Sequence, residues 1–167
     1  TAYRPNRRPG DDLAEGSHWL AAHLLLQKFP APVFSATTSV RLVPAAEGDT
    51  AGLMVFGYDY AWIGLRQASG GPRLARATCR RAQDGGREAV TDLGALPDGI
   101  ESVLLRVEVS DAGLCVYSWS TDGGATFVPA GEPFQATESR WVGAKVGLFA
   151  SAAPGTAGAG HADFGGF

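Results

Sequence analysis

Cysteine, methionine and histidine are scarce in this sequence, and each shortage excludes something. Of 167 residues, two are Cys, one is Met and three are His. Cys79 and Cys115 cannot supply the closely spaced ligands of a structural zinc site. Both fall inside strand-like segments, which reads as two buried thiols, with their pairing left open. His18, His23 and His161 are far apart and form no local metal motif, and none sits in a nucleophile-elbow sequence. Charged residues make up only 19% and the net charge is −3, so there is no basic footprint for nucleic acid. No run approaches the roughly 18 apolar residues of a membrane span. No glycine-rich phosphate loop leads into a helix. Internal repeats are absent, and so is any sustained helical period. Leu20–Phe29 (LAAHLLLQKF) is the one stretch able to form a helix, and Pro30 and Pro32 stop it.

What is present is glycine, 23 residues spread along the chain, within a composition that is 45% hydrophobic. That glycine share is well above the usual figure of about 7% and reads as many turns between short strands. Residues 1–23 are polar, rich in Pro and Gly, and irregular. The chain opens on TAYRPNRRPGDD, without an initiator Met or an apolar leader, so it reads as a piece of a longer protein and its compartment is left unassigned. From Leu24 onward the pattern changes. Ser35–Val43, Ala51–Phe56, Tyr60–Gln67, Pro72–Arg81, Arg87–Gly94, Ser102–Ser110, Leu114–Ser120, Ala144–Ala150 and His161–Phe167 read as strands. Short amphipathic strands at this spacing predict one all-β domain over residues 24–167, two antiparallel sheets packed face to face.

One short stretch carries a pattern of its own. In SWSTDGGATF, residues Ser120, Asp122, Gly124, Thr126 and Phe127 fit the Asp-box hairpin of sialidase-like propellers, with Phe in place of the final Trp. In such a hairpin the Asp accepts backbone N–H bonds and the glycines supply positive φ, so the work is structural. A propeller needs one copy per blade and several blades. A single copy in a chain of this length predicts that Asp122, Gly123 and Gly124 form a structural turn that touches no substrate.

Glycoside hydrolysis requires two carboxylates at a controlled separation. Candidates run from Glu47 to Asp163 and include Glu88, Glu101 and Glu108, but most lie in turns or beside Gly and Pro, where a solvated role is the simpler reading. The paired strand carboxylates of a free-standing concanavalin A-like glucanase are not visible. The aromatics are more suggestive. Sugars present flat C–H faces that stack on rings, so Tyr58, Trp62 and Trp119, on or beside strands, are candidates for carbohydrate binding. Burial in the core is the competing reading for Trp62 and Trp119.

Five blocks in order carry a family resemblance: LLLQKFPAPVFSATTSV (Leu24–Val40), AGLMVFGYDYAWIGL (Ala51–Leu65), YSWSTDGGATFVPAGEPFQA (Tyr117–Ala136), WVGAKVGLFA and HADFGGF. Together they resemble the C-terminal concanavalin A-like β-sandwich of glycoside hydrolase family 43 β-xylosidases and α-L-arabinofuranosidases. The resemblance implies a jelly-roll sandwich packed against a catalytic propeller, with the catalytic carboxylates on that propeller. It implies an accessory, non-catalytic role in xylan degradation. It also places Trp141, just before the Gly-Ala-Lys-Val-Gly strand, where an aromatic side chain leans over the substrate pocket. A stand-alone xylan-binding module is the alternative. Family members usually begin with a further Trp-containing strand, so one edge is expected to be either unpaired or supplied by residues outside this sequence. They usually end in Asp-Phe-Asp-Trp-Phe, where this chain has Asp163-Phe164-Gly165-Gly166-Phe167. No cofactor is implied beyond a structural Ca²⁺, for which Asp163 is the one candidate ligand.

Overall fold

The computed structural model describes residues 17–19, 21, 24–139, 141–153, 156 and 160–167. Residues 1–16, 20, 22 and 23 of the irregular N-terminal segment lie outside that set. The described chain forms strands β1 (Leu24–Lys28), β2 (Phe34–Val43), β3 (Thr50–Phe56), β4 (Tyr60–Ala68), β5 (Gly71–Cys79), β6 (Glu88–Ala95), β7 (Ser102–Val109), β8 (Leu114–Ser120), β9 (Val128–Pro129), β10 (Phe134–Gln135), β11 (Lys145–Ser151) and β12 (His161–Gly165), with a 3₁₀ turn at Ala82–Asp84. The first sheet runs β1-β11-β3-β4-β5-β6 and the second β10-β8-β7-β2-β12, with β9 also paired to β8. Every pairing between these strands is antiparallel. The strands read from the sequence are all found within a residue or two of their bounds, and β1, β9 and β10 are additional.

β1 corrects the helical reading of Leu20–Phe29. Leu24–Lys28 pairs with β11, Leu24 opposite Phe149 and Lys28 opposite Lys145. Leu24 and Leu26 turn one way and the exposed Leu25 the other, the period of two that a strand imposes. Sheet pairing and burial of Leu24 and Leu26 outweigh the local helical preference of a Leu-rich run.

The core between the sheets gathers Leu53, Val55, Ile63 and Leu65 from the first sheet, and Val103, Leu105, Val107, Cys115 and Tyr117 from the second. The Tyr117 hydroxyl crosses this core. It accepts from the Val55 amide at 3.0 Å and donates to the Ala61 carbonyl at 2.9 Å, so it enters the β3–β4 ladder. Burial drives its pKa well above the ordinary value of 10.0, which keeps it a donor. β3 is buried at every position. Its alternate residues, with those of β4, β5 and β11, form a second cluster on the outer face of the first sheet: Met54, Phe56, Tyr60, Trp62, Ala77, Cys79 and Phe149. A strand covered on both faces reads as a continuous apolar run, which is what Ala51–Phe56 is. Gly52 and Gly64 face each other across β3 and β4, and a Cβ on either would strike a carbonyl of the opposite strand.

Candidate functional site

Trp141 stands out from everything around it. It is 93% exposed and its φ is 71°. Bulky residues avoid the left-handed region because Cβ crowds the following carbonyl. Among the described residues, Arg81 is the other non-glycine with positive φ, and it sits at the start of the 3₁₀ turn, where Asp59 accepts its amide. Trp141 lies inside a tight loop closed by the Ser139–Val142 bridge, between β10 and β11.

The loop is fastened to the first sheet at the β3–β4 turn. Tyr58 N–H donates to the Glu138 carbonyl at 2.8 Å, and Asp59 N–H donates to Thr137 Oγ1 at 2.9 Å. Gly57 has to be glycine here, because a Cβ would run into the Thr137 carbonyl. Asp59 in turn accepts from Arg80 Nη1 at 2.8 Å and from the Arg81 amide at 2.7 Å. Partial burial raises its pKa, but these bonds prevail and hold it below the ordinary 3.8. The structure thus brings Tyr58 and Trp141, two of the residues singled out from the sequence, onto joined loops at one end of the first sheet.

Trp62 is elsewhere. It points to the outer face of the first sheet, not into the inter-sheet core, and is 1% exposed. Its Nε1–H donates to Glu88 Oε1 at 3.0 Å. The same oxygen accepts from the Tyr60 hydroxyl at 2.7 Å and from His18 Nδ1 at 2.5 Å. His18 and Glu88 are both more than nine-tenths buried at the side chain. Burial raises the Glu88 pKa, yet the bonds and charge of His18, with the bonds of Tyr60 and Trp62, carry it below the ordinary 4.5. His18 N–H donates to the Tyr60 hydroxyl at 2.7 Å. Next to it, Trp19 stacks on Phe56 at 5.4 Å and lies over Tyr58 at 6.0 Å between ring centroids. Ser17–Trp19 therefore forms a short strap over the outer cluster. In the sequence Glu88 is one carboxylate among many, and no local pattern connects it with His18, 70 positions away.

Trp119 belongs to the second sheet, half-buried against the inter-sheet core opposite Leu105 and Val128. Tyr58, Trp62 and Trp119 are thus not brought together into one platform. Asp122 sits in the β8–β9 turn. Its Oδ1 accepts from Ser120 Oγ at 2.6 Å and from the Thr126 amide at 3.0 Å, while Gly123 and Gly124 take φ of 73° and 93°. These bonds bring the Asp122 pKa down to about 2. Asp163 pairs with β2 through its backbone, and its carboxylate lies 3.7 Å from Arg41, which also binds Glu101. Ca²⁺ takes six to eight oxygen ligands. Among the described residues no three His, Cys, Asp or Glu side chains gather, and a guanidinium is the charged neighbour of Asp163, so its surroundings do not fit that ion. Cys79 and Cys115 are free, one on the outer face and one between the sheets. Burial pushes the Cys115 thiol up to about 12.

Two antiparallel sheets in this order, packed over one core, make the molecule a concanavalin A-like β-sandwich. Residues 11–167 match the β-xylosidase C-terminal concanavalin A-like domain, and the chain belongs to that family, the non-catalytic C-terminal part of glycoside hydrolase family 43 enzymes. Its fold is similar to that of the xylan β-1,4-xylosidase from Bacillus halodurans C-125, at 18% identity and a TM-score of 0.67 over 84% of this chain and 28% of that one. It is also similar to an engineered family 43 glycoside hydrolase with both endo-xylanase and exo-arabinofuranosidase activity, at 22% identity and a TM-score of 0.62 over 86% and 31%. A third is a bifunctional family 43 and CE protein of Bacteroides eggerthii, at 23% identity and a TM-score of 0.67 over 84% and 18%. The chain thus spans less than a third of each of these proteins. No curated protein sequence matches it.

Proposed function

We propose that the chain is the accessory sandwich of a xylan-degrading family 43 enzyme, that it packs on the catalytic domain, and that Trp141 helps shape the substrate pocket. The observation that carries this reading is the presentation of Trp141. An indole offers on the order of 150–250 Å² of contact area, and leaving it in water on a left-handed residue is unfavourable for a chain by itself. The loop is nonetheless pinned at Tyr58 and Asp59. A rigid, fully presented aromatic suits a partner surface or a sugar ring. On this reading the catalytic carboxylates belong to the catalytic domain, the partners are that domain and xylan or xylo-oligosaccharide, and the chain alone hydrolyses no glycoside.

The test is Trp141→Ala in this chain joined to its family 43 catalytic domain. A higher KM or a lower kcat on xylobiose is expected, and unchanged kinetics would overturn the pocket role. Hydrolysis of an aryl xyloside by the isolated chain would overturn the accessory reading altogether.

A further inference from the structure

We infer that Glu88, acting through the Ser17–Trp19 strap, is a positioning residue for the loop that carries Trp141. The functional meaning of this inference rests on the reading above, but its physical content does not.

The chain of contacts is continuous. Glu88 lies at the edge of the outer cluster, on β6, opposite Cys79 of β5. Its Oε1 collects three donors within 3.0 Å, from β4 (Tyr60 and Trp62) and from the strap (His18). The charge-assisted bond from His18 to this buried carboxylate, with the bond from the His18 amide to the Tyr60 hydroxyl, fixes His18 more firmly than its short segment could. The His18 ring is held edge-on to Phe149 at 4.7 Å and to Tyr60 and Trp62 at 6.1 Å. With His18 held, the neighbouring Trp19 has to lie on Phe56, and Phe56 is itself stacked on Tyr60 at 5.7 Å. Trp19 also covers Tyr58. The Tyr58 amide holds Glu138, three residues before Trp141, and the Tyr58 carbonyl accepts from Ala82 N–H at 2.9 Å. Removing Glu88 leaves Trp62 and His18 with buried donors facing nothing and Tyr60 with only Ser17 Oγ, at 3.3 Å. The strap then loses its anchor, and Tyr58 loses the cover of Trp19.

The arrangement also accounts for the composition of β4. Tyr60 and Trp62 bring their polar atoms to the outer face, each with a hydrogen bond to Glu88, while Ile63 and Leu65 fill the inner face with no polar atom at all. An outer face built only for packing against the strap would need neither the hydroxyl nor the indole N–H.

Amide hydrogen exchange on the 167-residue chain tests this, with Glu88→Ala, Trp19→Ala and Trp19→Phe compared against the parent. Trp19→Ala is expected to speed exchange at Tyr58, Ser139 and Val142 about tenfold, with β7 amides at the parental rate, and Glu88→Ala to speed the same loop amides at least as much, together with β7 because it also lowers global stability. Trp19→Phe, which keeps an aromatic face on Phe56 and Tyr58, is expected to restore the slow rate. Should Glu88→Ala fail to fold, the two Trp19 variants carry the test. Loop amides that exchange at the parental rate in Trp19→Ala would overturn the inference, and so would equal acceleration of β7 in that variant, which marks global loss of stability. Neither result bears on Trp141 itself. Conversely, fast loop exchange combined with normal kinetics of Trp141→Ala in the joined enzyme would refute the pocket role and leave the coupling standing.

Discussion

The amide of Tyr58 donates to the carbonyl of Glu138 at 2.8 Å, and this bond ties the β3–β4 turn to the loop of Trp141. The approach is close enough that a Cβ on Gly57 would collide with Thr137 O. Gly57→Ala should therefore push the two segments apart at a cost of about 1–3 kcal/mol, the usual range for overpacking. Urea denaturation measures the loss. Protease cleavage within residues 136–143 should accelerate in the same variant, and parental stability together with parental cleavage would contradict the tie.

Glu88→Ala should be among the most damaging single changes in the protein. It strands the buried donors of His18 and Trp62, takes the shorter acceptor from Tyr60, and breaks a pair whose members are both nearly inaccessible. Removing one partner of such a pair costs about 3–5 kcal/mol. For a chain of this length that is a fall in Tm of roughly 6–20 °C. Glu88→Gln keeps an acceptor for Tyr60 and Trp62 and should lose less. Calorimetry on the two variants and the parent decides the order.

Acid should weaken the outer face in a defined window. Glu88 titrates below its ordinary 4.5 in the folded chain, so its contribution is complete above that value and fades as pH falls through the lowered one. His18, Tyr60 and Cys79 are the titratable side chains that face it. Burial and the Glu88 charge raise Tyr60, which stays a neutral donor throughout. Asp122 follows the same sign in the β8–β9 turn, from 3.8 down to about 2. The urea midpoint should drop as pH goes from 5 toward 2, and Glu88→Gln should flatten the upper part of that drop. An identical pH profile in Glu88→Gln would show that Glu88 is not its source.

Trp141→Gly should leave the isolated chain as stable as the parent or slightly more so. The indole is 93% exposed and buries nothing, and glycine takes a φ of 71° without strain. Relief of that strain is worth about 1 kcal/mol, offset in part by the flexibility that glycine adds to the unfolded chain. A loss of more than about 2 kcal/mol would mean that Trp141 serves the fold.

The sandwich was legible in the sequence because its signal is local. Period-two alternation in Ser35–Val43 and Ser102–Ser110 and the continuous apolar run at Ala51–Phe56 each follow from how many faces a strand buries. The Asp122 turn was legible for the same reason, since Ser120, Asp122 and Thr126 bond within a few residues of one another. Leu24–Lys28 misled because a five-residue Leu-rich strand carries too few positions to separate a period of two from one of 3.6. The Glu88 cluster was beyond local reading. Its members come from β4, β6 and the strap, and only the register of β4, β5 and β6 places Tyr60 and Glu88 on one face of the sheet, flanking Cys79. A hint was present in β4, where Tyr60 and Trp62 carry polar atoms at every second position beside the purely aliphatic Ile63 and Leu65. Trp141 owes its prominence in the sequence to family resemblance, and its exposure and left-handed backbone are visible only in three dimensions.

The central claim is that Trp141 meets the catalytic domain at its substrate pocket, and side-chain oxidation read by mass spectrometry at that residue tests it most directly. Trp141 should oxidise rapidly in the isolated chain. It should be protected several-fold when the chain is joined to its family 43 catalytic domain, and further when xylo-oligosaccharide is added. Equal oxidation of Trp141 in the isolated and joined forms, with and without the oligosaccharide, would contradict the account.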